Sequence, residues 1–153
     1  MIAADRNCYG GFWLRLGAYA VDCVVLLIPT LLVSFLYRQA TPASTDAAQI
    51  VVDLVDICMN FVVWWVYTAV SLSSAWQATV GKKVCGLKVV GYDGSRISFG
   101  RATGRYFAGF LSVLLVFIGF IMIAWTRRRQ GLHDMIAETY VVREGKNAAE
   151  AIT

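Results

Sequence analysis

The stretch Phe12 to Tyr37 reads FWLRLGAYAVDCVVLLIPTLLVSFLY, and between Leu16 and Tyr37 its only formally charged residue is Asp22. A carboxylate two turns inside such a stretch, at membrane depth, costs roughly 2.5 kcal/mol or more, so it must face protein, water or a partner charge. The chemistry open to it is that of a proton or cation carrier. The plainer reading is an internal anchor. A second acidic group lies further on. Asp53 and Asp56 are three residues apart and share a helical face with Asn60, Trp64 and Tyr67. Acids at a helix start are favoured by the helix dipole; the alternative is an outer mouth that attracts cations.

Other reactive residue types form no pattern of this kind. Cys8, Cys23, Cys58 and Cys85 lack metal-type spacing and read as reduced and structural. His133 is the single histidine, with no second ligand cluster in view, and reads as interfacial. Ser71, Ser73 and Ser74 have no histidine at a nucleophile-activating position that the sequence reveals. Gly81-Lys82 lacks the glycine spacing of a phosphate-binding loop. No enzyme, no metal and no cofactor is expected.

The elements that must position these residues are membrane helices. Of 153 residues, 58% are hydrophobic and only 16% charged, and the apolar ones come in long blocks. About 20 helical residues cross a ~30 Å hydrocarbon core. Spans are therefore predicted at about 12–37 and 50–72, with a polar loop at 38–49 between them and a kink at Pro29. The first block is too long for a signal peptide and contains Asp22. A third apolar segment, about 106–126, is either a third span or a broken, re-entrant hairpin. The re-entrant course is preferred, because a crossing would carry Arg127, Arg128 and Arg129 outside. Gly86–Tyr92 and Arg96–Phe99, joined at Asp93-Gly94, read as a small cytoplasmic β-hairpin, whose free edge the strand Thr139–Arg143 could join. The fold class is thus an all-α membrane protein with a small β element, one domain over 1–143 and a flexible tail at 144–153.

Net charge is +4, but its distribution carries more information. Residues 73–105 hold Lys82, Lys83, Lys88, Arg96, Arg101 and Arg105 against Asp93, a surplus of five, whereas residues 37–50 balance Arg38 with Asp46. By the positive-inside tendency the basic segment and the N-terminus are cytoplasmic. A basic face beside membrane spans suits anionic lipid headgroups. No nucleic-acid partner is expected, since no basic helix or stacking platform stands clear of the bilayer.

Three blocks, GFWLRLGAYAVD, TVGKKVCGLKVVGYDGSRISFGRA and RRRQGLHDMIAETYVV, resemble the RDD family of membrane proteins over residues 9–143. That family takes its name from an arginine and an aspartate of the first helix and a second aspartate near the C-terminus. The matching positions are Arg15, Asp22 and Asp134. The resemblance implies a small multi-span protein of the bacterial inner membrane, usually without an assigned activity; some relatives are associated with sodium/proton exchange.

Arg15 and Asp22 are seven apart, on one face but about 10 Å apart along the axis. Helical side chains lean toward the N-terminus, so Arg15 points away from Asp22. Arg15 is therefore expected to pair with Asp134, and Asp22 to take Arg101, Arg105 or the Tyr19 hydroxyl. The first reading is a structural or accessory membrane protein, bound to itself or to another membrane protein. The alternative is an oligomeric Na+/H+ transporter using Asp22 as carrier.

Overall fold

In the computed structural model, residues 8–114 and 129–145 are described, with side chains as far as 110 and from 129. Two long helices dominate. α1 runs Phe12–Ala40, continuing through Pro29. α2 runs Asp46–Ser73. Their most apolar 18-residue windows have mean hydropathies of 2.2 and 1.8, and both helices are long enough to cross a bilayer. They are not the core helices of a soluble protein: Val24 and Ile28 are 70% and 75% exposed, in company with many other large apolar side chains. Lipid is the medium that would cover them.

The two helices are antiparallel. Tyr19 lies against Trp64, Ser34 meets Asn60, and Arg38 meets Asp53 and Asp56. The start of α1 and the end of α2 therefore share one end of the pair. At that end stand α3 (Val80–Val84), β1 (Leu87–Gly91), the start of α4 (Phe99–Leu114), α5 (Leu132–Ile136) and β2 (Thr139–Arg143). Their apolar core includes Ala18, Leu72, Leu87, Val89, Ile97 and Val141.

The sheet corrects the expected hairpin. β1 pairs antiparallel with β2, Val89 opposite Val141, and Arg96–Phe99 forms no strand. The Asp93-Gly94 turn does form: Gly91 N–H donates to the Ser95 carbonyl, and the Asp93 carboxylate accepts from Ser95 N–H and Oγ–H. Beyond it Ser98 caps a helix instead, its Oγ accepting from Arg101 N–H at 3.3 Å. The free edges are occupied locally. Gln77 takes the outer side of β1 through Val89 N–H, and Tyr9 and Gly10 take the outer side of β2. An unguarded two-stranded edge would template further pairing, so this closure matters.

Helix starts also differ from expectation. Thr45 caps α2 by accepting from Ala48 N–H, which begins the helix at Asp46 rather than at residue 50. Asp46, not Asp53 or Asp56, occupies the dipole-favoured first turn. α4 begins at Phe99, inside the basic segment and ahead of the apolar block. The re-entrant course expected within 106–126 falls largely on 115–128, outside the described residues, as does most of the tail at 144–153.

Candidate functional site

The polar residues at the shared end form two clamps. The first is centred on Asp22, which is 5% exposed. One carboxylate oxygen, Oδ1, accepts from the Tyr67 hydroxyl at 2.6 Å and Gly81 N–H at 2.7 Å; Oδ2 accepts from the Thr79 hydroxyl at 2.6 Å. The Tyr67 oxygen in turn accepts from Val80 N–H at 3.0 Å. Lys82 N–H approaches Thr79 Oγ1 at 3.4 Å and Lys83 N–H donates to the Thr79 carbonyl at 2.9 Å. The N–H groups of Val80, Gly81 and Lys82, which have no partner within α3 itself, are thus all met, two of them by α2 and α1. Asp22 is a remote N-cap that ties a short helix to the first span.

That arrangement replaces the expected partners of Asp22. Arg105 and Arg101 are engaged elsewhere, the latter with Glu138 at 2.6 Å. Tyr19 is 59% exposed and lies against the Trp64 ring, 5.7 Å between centroids. The replacement has a local cause. Thr79 leads a Thr-x-Gly start, and Gly81 brings its backbone against α1 so closely that a Cβ there would lie 2.0 Å from the Ala18 carbonyl oxygen. Only glycine fits, and only a bare backbone N–H reaches Asp22. The signal for this contact was in TVGKK, as a cap residue followed by a glycine, but the sequence alone does not say which acid the N–H groups meet.

The second clamp is centred on Asp134, whose side chain is fully buried. Arg15 Nη1 pairs with its Oδ2, while Arg15 Nε donates to the Gly10 carbonyl at 2.9 Å and Nη2 to the Arg129 carbonyl at 2.6 Å. Arg105 Nη2 pairs with Oδ1 at 2.5 Å, and its Nη1 donates to Thr139 Oγ1 at 2.7 Å. Gly131 N–H adds a bond to Oδ2 at 3.0 Å. So the first helix, the start of α4 and the tail converge on one carboxylate. Sequence reasoning pairs Arg15 with Asp134; Arg105 as the second arm comes from the fold.

Burial pushes the pKa of Asp134 up, and the Arg105 and Arg15 guanidiniums outweigh it, holding the group well below the usual carboxylate range. His133 Nε2 is 3.3 Å from Oδ1. Burial pulls its pKa down to about 4 despite the neighbouring carboxylate, so His133 is neutral at pH 7.

Asp53 and Asp56 sit at the opposite end of the helix pair. Arg38 bridges them, its Nη2 3.0 Å from each, and Asn60 Nδ2 donates to Ser34 Oγ at 2.9 Å and to Asp56 Oδ1 at 3.1 Å. The expected acidic mouth therefore carries its own cation. Arg38 reaches it because α1 runs on to Ala40, past the Tyr37 limit predicted for the span. Among the described residues no group of three or more His, Cys, Asp or Glu side chains could hold a metal ion.

No solved structure matches the chain significantly. The chain is 36% identical to the Bacillus subtilis (strain 168) "Uncharacterized protein YxaI", over 86% of its own length and 95% of that relative. It is 31% identical to YckC of the same organism, over 93% of each chain. It is also 31% identical to the "Uncharacterized membrane protein YteJ", over 90% of its own length and 83% of the relative. The model of the RDD family matches residues 9–138, and the chain belongs to the RDD family.

Proposed function

We propose that this protein is a small, non-catalytic integral protein of the bacterial inner membrane with a structural or accessory role, in which Arg15, Asp22 and Asp134 hold a polar subdomain against the membrane helices. The observation that carries the reading is the satisfaction of Asp22. Its two oxygens take three donors from Tyr67, Thr79 and Gly81, all from this chain. A carrier carboxylate must give up its partners in each cycle; this one would undock α3 to do so. The basic end faces the cytoplasm and its anionic headgroups, and the apolar flanks meet lipid, a second copy or another membrane protein.

One variant tests this role. Asp22→Asn keeps the shape but loses charge and one acceptor, and is expected to cost about 1–3 kcal/mol of stability. In proteoliposomes, sodium and proton flux of that variant should equal that of the unmodified protein. Flux present in the unmodified protein and abolished in a well-assembled Asp22→Asn variant would overturn the structural reading in favour of the Na+/H+ carrier.

The same contacts support a re-entrant third segment. Arg105 near its start and Arg129 just beyond its end both meet the Arg15–Asp134 pair. Those contacts favour a segment that leaves and returns at one end of the helix pair. A reporter enzyme active only outside the inner membrane, fused after Thr153, should therefore be silent; activity would mean a third span.

A further inference from the structure

Among the described residues, the charges gathered around the Asp134 clamp do not balance. Arg15 and Arg105 have side chains 10% and 6% exposed, and Lys82 lies within electrostatic range of both. Against these three cations stand Asp22 and Asp134, since His133 is neutral at pH 7. Both guanidiniums are spent on Asp134 and on Gly10, Arg129 and Thr139. The Asp22 oxygens are spent on Tyr67, Thr79 and Gly81. Lys82 is therefore the surplus charge. Among the described residues its ammonium has no carboxylate within ion-pair reach, whereas its neighbour Lys83 has Glu144 at 2.6 Å.

A cation beside other cations at low dielectric requires a counter-charge or must shed its proton. Burial and the Arg105 guanidinium do pull Lys82 down, to about 7, a tendency that its partial exposure tempers. Part of the Lys82 residue stays open to solvent at the edge of this cluster. Its level is set by Gly81, which packs on the Ala18 carbonyl one residue before Tyr19. Tyr19, Trp13 and Trp76 are 59%, 78% and 58% exposed at this end. Such half-wet aromatic rings gather where headgroups lie.

We propose that Lys82 is the recognition cation of an anion site that takes a phosphate group, with Arg15 and Arg105 behind it supplying positive field but no direct bond. Two sources of that phosphate fit: the headgroup of an anionic lipid of the inner leaflet, and a soluble phosphate. The aromatic level favours the lipid, a choice that rests on the membrane reading above. The site would make the docked subdomain sensitive to the charge of the leaflet beneath it.

The test uses the full-length protein purified in neutral detergent, melted with added phosphatidylglycerol, with phosphatidylcholine, or with inorganic phosphate against sodium chloride of equal ionic strength. Phosphatidylglycerol well above its dissociation constant should raise the melting temperature by about 5 °C, and phosphatidylcholine should not. Lys82→Met, which keeps the apolar stem, should lose most of the shift, and Lys82→Arg should retain it. Arg96→Gln, which removes an exposed cation of the same basic segment, should respond like the unmodified protein. An equal, Lys82-dependent shift with inorganic phosphate would support the site and assign its source to solution. Should Lys82→Met fail to fold, amine labelling of the unmodified protein decides: phosphatidylglycerol or phosphate should slow labelling of Lys82 several-fold. Equal shifts in the unmodified protein and Lys82→Met, an equal loss in Arg96→Gln, no response to either phosphate source, or unprotected labelling of Lys82 would each overturn the proposal. None of those failures would touch the assignment of the helices to the membrane.

Discussion

Asp134→Asn should cost about 3–5 kcal/mol of stability, the usual penalty for removing one partner of a buried ion pair. Here the penalty falls on two guanidiniums at once, because Arg15 and Arg105 both end on that carboxylate and both are nearly inaccessible to water. An amide supplies one neutral acceptor in place of a charge shared between them. A native domain holds only about 5–15 kcal/mol in total, so the variant should melt many degrees lower in detergent and accumulate poorly. Removing Arg15 in the same chain should recover part of the loss, since one fewer cation is then left buried and unpaired. A melting temperature for Asp134→Asn within about 1 °C of the unmodified protein would show that the cluster is not holding the fold. The pH dependence has a definite sign. A carboxylate held below its unfolded pKa contributes stability at every pH above that unfolded value, and loses it only as pH falls through the folded one. Acidification from pH 7 to the ordinary carboxylate range should leave the Asp134 contribution intact.

Gly81→Ala is the second large effect. The added methyl would lie 2.0 Å from the Ala18 carbonyl oxygen and 2.9 Å from Asp22 Cγ. The first is backbone inside a spanning helix and cannot swing aside. α3 must lift, and with it go the Gly81 and Thr79 bonds to Asp22, leaving a buried carboxylate with Tyr67 alone. Overpacking costs roughly 1–3 kcal/mol, and an acceptor stripped of its donors about as much again. Trypsin reports the event directly, because Lys82 and Lys83 leave the docked helix and should be cut far faster than in the unmodified protein. Gly100→Ala is the matched control: it too lies in a helix, but nothing lies within 4 Å of its added carbon. That substitution should be neutral or stabilising by up to about 1 kcal/mol. Equal cleavage of the two variants would mean that α3 is not held through Gly81.

The residues that matter most are partly legible before folding. Asp22 declares itself by violating an apolar run, and Arg15 by standing at its edge. Thr139–Arg143 is readable as a strand that would seek β1. The returning strand expected at Arg96–Phe99 does not form, because a Gly-flanked turn announces a reversal but not the type of element beyond it. Ser98 caps a helix there, and Ala102 and Ala108 are buried along it. The acids Asp53 and Asp56 miss the helix start for a similar reason: Thr45 opens α2 one turn earlier than the apolar run suggests.

By itself the order of residue types determined the membrane class, the two spans and the presence of a costly intramembrane acid. These follow from solvent preference, which is a property of each segment taken alone. Who meets whom was decided only by tertiary structure. Asp22 could be paired on paper with Arg101, Arg105 or Tyr19, yet it went to the Tyr67 and Thr79 hydroxyls and the Gly81 N–H, because close approach at Gly81 and a cap at Thr79 are facts of packing. Arg105, free to choose either aspartate, went to Asp134, where the tail brings an acid that nothing in the local sequence ties to it.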